Sequence, residues 1–469
     1  MWEGGATGAG PGGRAHPPCV REAPSVRGPG RAHPTGGNPD RGGAGEEDRP
    51  RPKAGARIAS AFSPLAAPGF RRYYLGQTAS FFGDALTPLA VAFAVLHLTG
   101  SAADLGIVVL STRLPIIALT LLGGAAGDRF SRRSVMLTAD LTRLAAHGAT
   151  AVLLLTGNAH LWTLVALQLI AGAGSAFFNP AAVGLVASLA GKEDLQAANS
   201  LLSISRSTVS IVALGVAGAL VAWAGPGWAI AIDAMTFAVS AAFLARLPRD
   251  LPEGGRVPAR GLLAGIGDGL AQVRGRTWLG VWIVHLAVAN AFVISPILVL
   301  GPYVADRSLG GAPAWSAIGI AYAAGGLAAG VVSAHWRPAR PMVAALLAFL
   351  LIAPLPALLA VPAPLWQLIV AAVAAGGQVT VHNVIQTTAL QRHLPADAVA
   401  RAASVSMLGA LVAAPVGMGL AGPAASFFGT RPVLIACAAT AVLITAVTLP
   451  VPAVWRIRDD SSPVPSASG

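Results

Sequence analysis

Gly124-Ala-Ala-Gly-Asp128-Arg129-Phe-Ser131-Arg132-Arg133 is the stretch from which the fold can be read. An apolar run, Leu105 to Ala126, stops there at an acid followed by three arginines, and a second apolar run, Val135 to Thr156, begins at once. The stretch is therefore a tight polar hairpin between two long hydrophobic segments. Its small residues let two helices approach closely at the turn. Asp128 cannot sit in hydrocarbon unpaired, so it needs an arginine or a helix end nearby. In a soluble protein the same residues would make an ordinary salt-bridged surface turn. The flanks decide between the two.

Working outward, the chain has 469 residues, of which 54% are hydrophobic and only 11% charged. That is too little charge to cover a soluble surface of this length. Apolar runs of about 20 residues, long enough to cross ~30 Å of hydrocarbon, recur along the chain and predict a polytopic membrane protein in the lipid bilayer. Leucine, alanine, valine and 55 glycines dominate the runs, without strand-like alternation, so helices satisfy the backbone. The net charge of +12 would suggest nucleic acid in a soluble chain. Here the arginines sit in loops and in the N-terminal tail, which points to membrane topology instead and to no nucleic-acid partner. Cys19 and Cys437 are too few for a disulfide framework or a metal site. No Gly-rich loop ending in Gly-Lys-Ser/Thr occurs, so neither ATP hydrolysis nor any cofactor is expected.

Residues 1–69, rich in Gly, Pro and Arg, cannot bury a core and are expected to be disordered. They contain no apolar core of the kind a signal peptide requires. Twelve spans are predicted at 73–97, 105–126, 134–156, 161–179, 203–224, 228–247, 278–300, 314–334, 341–361, 365–389, 404–427 and 432–452. They group into an N-terminal half, 70–247, and a C-terminal half, 278–455, joined by a polar linker, 248–277, and followed by a tail, 456–469. Pro354 and Pro356 free backbone groups in the ninth span that neighbouring helices must satisfy. Arg71, Arg72, Arg129, Arg132, Arg133, Lys192, the linker arginines, Arg337, Arg340, Arg392, Arg401, Arg456 and Arg458 fall on one side, against Arg307 and Arg431 on the other. By the positive-inside rule both termini are cytoplasmic.

The halves repeat. Gly124-x-x-x-Asp128-Arg129 has a worn echo in Gly330-x-x-x-Ala334-His335, and the same offset carries Asp84 onto Asn290. Two related six-helix bundles explain this best.

With Gly124, Asp128, Arg129, Arg132 and Arg133 in that order between two spans, residues 70–455 resemble the major facilitator superfamily. More narrowly, they resemble its drug and siderophore exporter branch, which includes enterobactin and macrolide exporters. The resemblance rests further on Phe70-Arg-Arg-Tyr-Tyr-Leu-Gly-Gln77, Ser80-Phe-Phe-Gly-Asp84, Arg113-Leu-Pro115, Phe178-Asn-Pro180-Ala, Glu193-Asp-Leu-Gln-Ala-Ala-Asn199 and Ile232-Asp233-Ala-x-Thr-Phe237. Two departures stand out. Ser131 replaces a usual glycine, and Ala213-Leu214-Gly-Val-Ala-Gly218 lacks the Gly-Pro of the antiporter signature. The resemblance implies an all-α protein with two bundles rocking around a central site, without covalent chemistry. It also implies that Asp128, with its loop, is a conformational latch near the start of the eleventh span at Ala402-Ala403-Ser404, where a positive helix end attracts a carboxylate.

Within the spans, Asp84 lies about 16 Å above the start of the first, near the midplane, and Arg113 about 20 Å above that surface. The two depths agree within helix tilt, so an Asp84–Arg113 pair is expected, either as a structural bond or as the proton-coupling site. An acid so placed can load and release a proton as its surroundings alternate. Asp140 and Arg143, three apart, share a helix face and can pair locally. Arg206 reads as snorkelling near the cytoplasmic edge, Asp233 as structural, and His285 as near the cytoplasmic surface. The second half offers Asn290, Gln378, His382, Asn383 and Gln386 as a polar lining for a substrate cavity, His382 serving either as a titrating group or as a helix–helix hydrogen bond.

The expectation is a monomeric secondary transporter in the cell membrane that exports small amphipathic compounds in exchange for protons. The alternatives are uncoupled transport or uptake, and, from another class, a polytopic membrane enzyme or sensor. No loop or span mouth clusters acids, His or Ser as an enzyme would, and the tails are too short and too biased for a sensor domain.

Overall fold

The computed structural model describes residues 62–248, 275–361, 363–394 and 396–458. The expected N-terminal tail up to residue 61, most of the linker and the last eleven residues lie outside them. A single 3₁₀ turn, Ser63–Ala66, precedes the first long helix. The long helices follow in order: α1 Pro68–Thr99, α2 Ala102–Arg129, α3 Arg132–Leu155, α4 Leu161–Gly191, α5 Glu193–Ala224 and α6 Pro226–Ala245. After the linker come α7 Thr277–Leu309, α8 Ala312–His335, α9 Pro341–Leu359, α10 Leu365–His393, α11 Ala396–Phe428 and α12 Thr430–Thr448, and a short α13, Pro452–Arg456, closes the described chain.

Each predicted span falls on one of these helices. Ten are long and apolar enough to cross a membrane. The two others are α3, which carries Arg132, Arg133, Asp140 and Arg143, and α11, whose described apolar part is Val412–Phe428. By length and apolarity alone, then, the count of twelve is not met in full.

The helix ends follow local chemistry. Gly100, at φ 65°, stops α1 in a left-handed turn, and the Ser101 hydroxyl then caps α2 by accepting from the Asp104 amide at 3.2 Å. Ser131 does the same for α3, accepting from the Ser134 amide at 3.2 Å. The departure from glycine at this position therefore supplies a helix cap.

Two expectations need correcting. Residues 180–202 are helical, interrupted only at Gly191, whose φ of 72° turns the chain from α4 into α5. Both helices are therefore longer than the hydrocarbon needs, and Ser63 Oγ donates to Asp194 Oδ1 at 2.6 Å just beyond the kink. Second, α7 runs nine residues past its predicted end, with wide π-type turns at Asn290–Ile294 and Ala305–Leu309. In α9 a 3₁₀ turn, Leu350–Ile352, precedes Pro354, and the Ala353 amide bonds the Leu350 carbonyl at 3.1 Å. The tightened turn satisfies a group that the prolines would otherwise leave open.

Small residues set the helix crossings. A side chain at Gly123 or Gly172 would strike the backbone of the partner helix, so α2 and α4 cross backbone to backbone. Gly325 and Gly376 do the same for α8 and α10, the equivalent pair one repeat later. The first six helices meet the last six along α2–α11 and α5–α8. Among the described residues, the hydrogen bonds that link them lie at one end: Arg307 Nη2 to the Gly100 carbonyl at 2.9 Å and Ser316 Oγ to the Leu214 carbonyl at 2.6 Å. His97 faces Asp306 at 3.6 Å in the same region. This is the end opposite the Asp128 loop.

Candidate functional site

The first six helices enclose a cluster of charge. Arg143, on α3, is buried, and its guanidinium lies between the rings of Phe178 on α4 and Phe237 on α6, at 4.3 and 4.2 Å from their centroids. Held in this aromatic slot, it bonds Asp140 one turn back on its own helix and stands 3.6 Å from Asp84 on α1. Asp140 is fully buried, whereas the Asp84 side chain remains 41% exposed. The cluster thus has one accessible carboxylate backed by a buried cation.

A second pair sits beside it. His147 Nδ1 bonds Asp233 Oδ2 on α6, and Thr87 Oγ1 donates to the same oxygen at 2.5 Å. The ring of Phe237 meets His147 edge-on at 5.5 Å, so one aromatic side chain touches both Arg143 and His147. Gly83 makes this arrangement possible, since a side chain there would overlap Asp233 and Thr236 across the α1–α6 contact.

The cation beside Asp84 is therefore Arg143, not Arg113. Arg113 is exposed on α2, and no ion pair joins it to Asp84 among the described residues. Depth agreed for both candidates, but the rotation of each helix about its axis, set by the neighbours it meets, decides which side chain reaches inward. His147 is the residue the sequence reading missed. It falls on the stripe Asp140, Arg143, His147, at steps of three and four residues, and that period could have exposed it. Asp233 is held by two bonds in the same layer. Arg206 lies thirteen residues into α5, exposed, with its guanidinium over the Phe81 ring at 5.1 Å.

In the hairpin, Arg132 donates to the Gly184 carbonyl at 3.0 Å and to Ser188 at 3.2 Å. Arg133 donates to the carbonyls of Leu244 and Ala245 at 2.9 and 2.7 Å. Both residues tie the start of α3 to neighbours in the first half, and Arg133 does so at the negative end of α6. Arg129 is exposed beside Phe130, and Gly124 has open space around it. α11 begins at Ala396, so residues 402–404, which the sequence suggested as its start, stand six to eight residues past it; their side chains and that of Asp128 lie outside the described residues.

The expected polar lining of the second half is split between two faces of α10. Gln378 and His382 are buried, with His382 stacked on Trp282 of α7 at 4.2 Å, while Asn383 is exposed and Gln386 half-buried. Asn290 is half-buried and bonds the Leu286 carbonyl at 2.8 Å. His285 is fully buried and bonds Thr448, the last residue of α12, at 3.3 Å. A period of 3.6 puts 378, 382 and 385 on one stripe of α10, with 386 at its edge and 383 on another face.

Long apolar helices in two repeating sets that meet along α2–α11 and α5–α8, with a charge cluster enclosed by the first set, define a multi-pass transporter of the major facilitator fold. Residues 59–465 match the family model described as transmembrane secretion effector, and the chain belongs to that family of major facilitator transporters. Among similar proteins, the multidrug efflux pump Tap of Mycolicibacterium fortuitum is 29% identical over 80% of this chain and 93% of that protein. Macrolide efflux protein A of Streptococcus pyogenes is 26% identical over 56% of this chain and 65% of its own length. Solved structures give the same fold at low identity. The nucleoside transporter NupG superposes with TM-score 0.66 at 14% identity, over 83% of this chain and 99% of its own. A bacterial homologue of the iron transporter ferroportin gives 0.65 at 17%, over 81% and 97%.

Proposed function

We propose that this transporter exports small amphipathic compounds from the cytoplasm in exchange for protons, and that Asp84 carries the coupled proton. The observation behind this reading is the accessible Asp84 carboxylate 3.6 Å from buried Arg143. Charge counting supports it. Asp84, Asp140 and Asp233 are three carboxylates, against two permanent cations even when Arg206 over Phe81 is included. Full ionisation of the carboxylates therefore exceeds the permanent cations by one, and an uncompensated charge in a low-dielectric layer is costly. Binding a proton removes that cost, and so does binding a cationic or hydrogen-bond-donating substrate beside Asp84. A group that the two can occupy only in turn is what an exchanger requires.

Alternating access then moves the halves 70–247 and 278–455 about the cluster, with Asn383, Gln386 and Asn290 lining the cavity from the second half. Asp128 acts as a latch at the start of α11, supported by the arginines that fix its hairpin on the first half. The arginine asymmetry supports cytoplasmic termini in the cell membrane, and the efflux roles of the similar proteins named above support export over uptake.

The test is efflux from cells lacking their own pumps, with a panel of amphipathic antimicrobials that includes a macrolide. Expression of the chain should lower accumulation of at least one compound, and a protonophore should abolish the effect. Efflux that survives collapse of the proton gradient would remove proton coupling from the reading.

A further inference from the structure

At the arginine-bearing end of the second half, a cavity of about 530 Å³ opens between the end of α8, the start of α9 and the last turns of α10. Its rim carries Arg337, Arg392, His393 and Arg458, and no acidic residue is among the described residues that line it. The first residue of α9, Pro341, stands on the same rim, so the positive end of that helix adds to the arginines. Below the rim the wall is mostly apolar, formed by Val384, Ile385 and Ala389 of α10, and the hydroxyl side chains of Ser333 on α8 and Thr388 on α10 also line the cavity. Trp336, half-exposed, lies at the boundary, the depth at which an indole ring prefers to sit in a bilayer. One turn further along α8, Val331 and Val332 are both exposed, as lipid-facing residues are.

A cationic rim over an apolar wall matches a molecule that is anionic at one end and hydrocarbon at the other. We propose that this cavity binds the headgroup and upper acyl chain of an anionic phospholipid. A soluble phosphate compound would use the rim but gain nothing from Val384 and Ile385. A zwitterionic lipid would use the wall, but its own cation would face three arginines. Basic pockets between spanning helices at a membrane face suit phosphate headgroups, and each arginine beside an anionic surface contributes about fivefold in affinity. The proposal does not depend on proton coupling. The orientation proposed above decides only which leaflet supplies the lipid.

The experiment uses the full chain, purified in detergent and examined by native mass spectrometry after mixing with phosphatidylglycerol, phosphatidylcholine or inorganic phosphate. Wild type should retain phosphatidylglycerol over phosphatidylcholine, and inorganic phosphate should not compete at equal concentration. R337Q/R458Q should lower the retention at least tenfold, and R337K/R458K should restore most of it, since a lysine supplies the same charge. Thermal unfolding of each variant verifies that the fold is intact. Equal retention of the two lipids by wild type, or unchanged phosphatidylglycerol retention by a folded R337Q/R458Q protein, overturns the proposal. Full competition by inorganic phosphate does so too, in favour of a soluble anion. Asp459 and Asp460 follow Arg458 in sequence, outside the described residues. If D459N/D460N binds the lipid and wild type does not, the tail itself neutralises the rim and the site is not a lipid site.

Discussion

The guanidinium of Arg143 stands 3.6 Å from the Asp84 carboxylate while bonding Asp140 on its own helix. One buried cation thus serves two acids of different exposure. Any change at Asp84 is felt at Asp140 through a side chain that the rings of Phe178 and Phe237 hold in place.

Asp84→Asn keeps the shape of the side chain and removes its charge. The protein should insert at wild-type level, because the neutral amide is cheaper to bury than the ion. Efflux driven by a pH gradient in inverted vesicles should fall to background and its pH dependence should flatten, with downhill exchange retained. Gradient-driven transport at the wild-type rate would move the coupled proton to another carboxylate of the cluster.

Arg143→Ala leaves Asp140 buried without its cation. Breaking one side of such a pair costs about 3–5 kcal/mol, a large share of the roughly 5–15 kcal/mol that holds a typical domain. Membrane yield should therefore drop sharply. Replacing both members, Arg143→Met with Asp140→Leu, should recover the yield without recovering transport, as quantitative immunoblotting and vesicle efflux together would reveal.

His147→Phe removes one of the two partners of Asp233 and leaves Thr87 alone on that oxygen. A buried group that loses a partner costs about 1–3 kcal/mol. The midpoint of thermal unfolding should fall by several degrees, and His147→Gln, which can still donate, should fall by less. Equal loss in the two variants would mean that ring volume, not the bond, is what matters there.

Asp128→Asn tests the latch. The attraction between a carboxylate and a helix end is worth ~0.3–1 kcal/mol when exposed, and up to ~2 when partly buried. That can shift a balanced two-state equilibrium several-fold. Insertion should be normal and turnover reduced. Wild-type rates would make Asp128 a turn residue only.

The proposed orientation predicts the pattern of cysteine labelling. Single cysteines at 129–133 and 256–260 should react with a membrane-impermeant reagent only from the cytoplasm, and those at 158–160 and 306–310 only from outside. Reaction of both sets from one side would contradict the twelve-span arrangement.

The chain's hydrophobic runs, its Gly-Asp-Arg hairpin and its arginine asymmetry were enough to predict a helical membrane transporter and to place each predicted span on a helix. They report on composition over about 20 residues, a length that the bilayer imposes on any spanning helix. Position along each helix was also legible, because the helical rise is fixed. Partnership was not. Arg113 and Arg143 were both available to Asp84, and only the rotation of α2 and α3 against their neighbours set Arg143, and not Arg113, beside it in the slot between Phe178 and Phe237. The same holds for α10, whose polar residues read as one set but divide into a buried pair, Gln378 and His382, and an accessible pair, Asn383 and Gln386. Helix rotation is set by which glycines let which backbones touch, as at Gly83 against α6 and Gly376 against α8. Those contacts join residues far apart in the chain, so no local pattern encodes them, and the tertiary structure alone decides which charges meet.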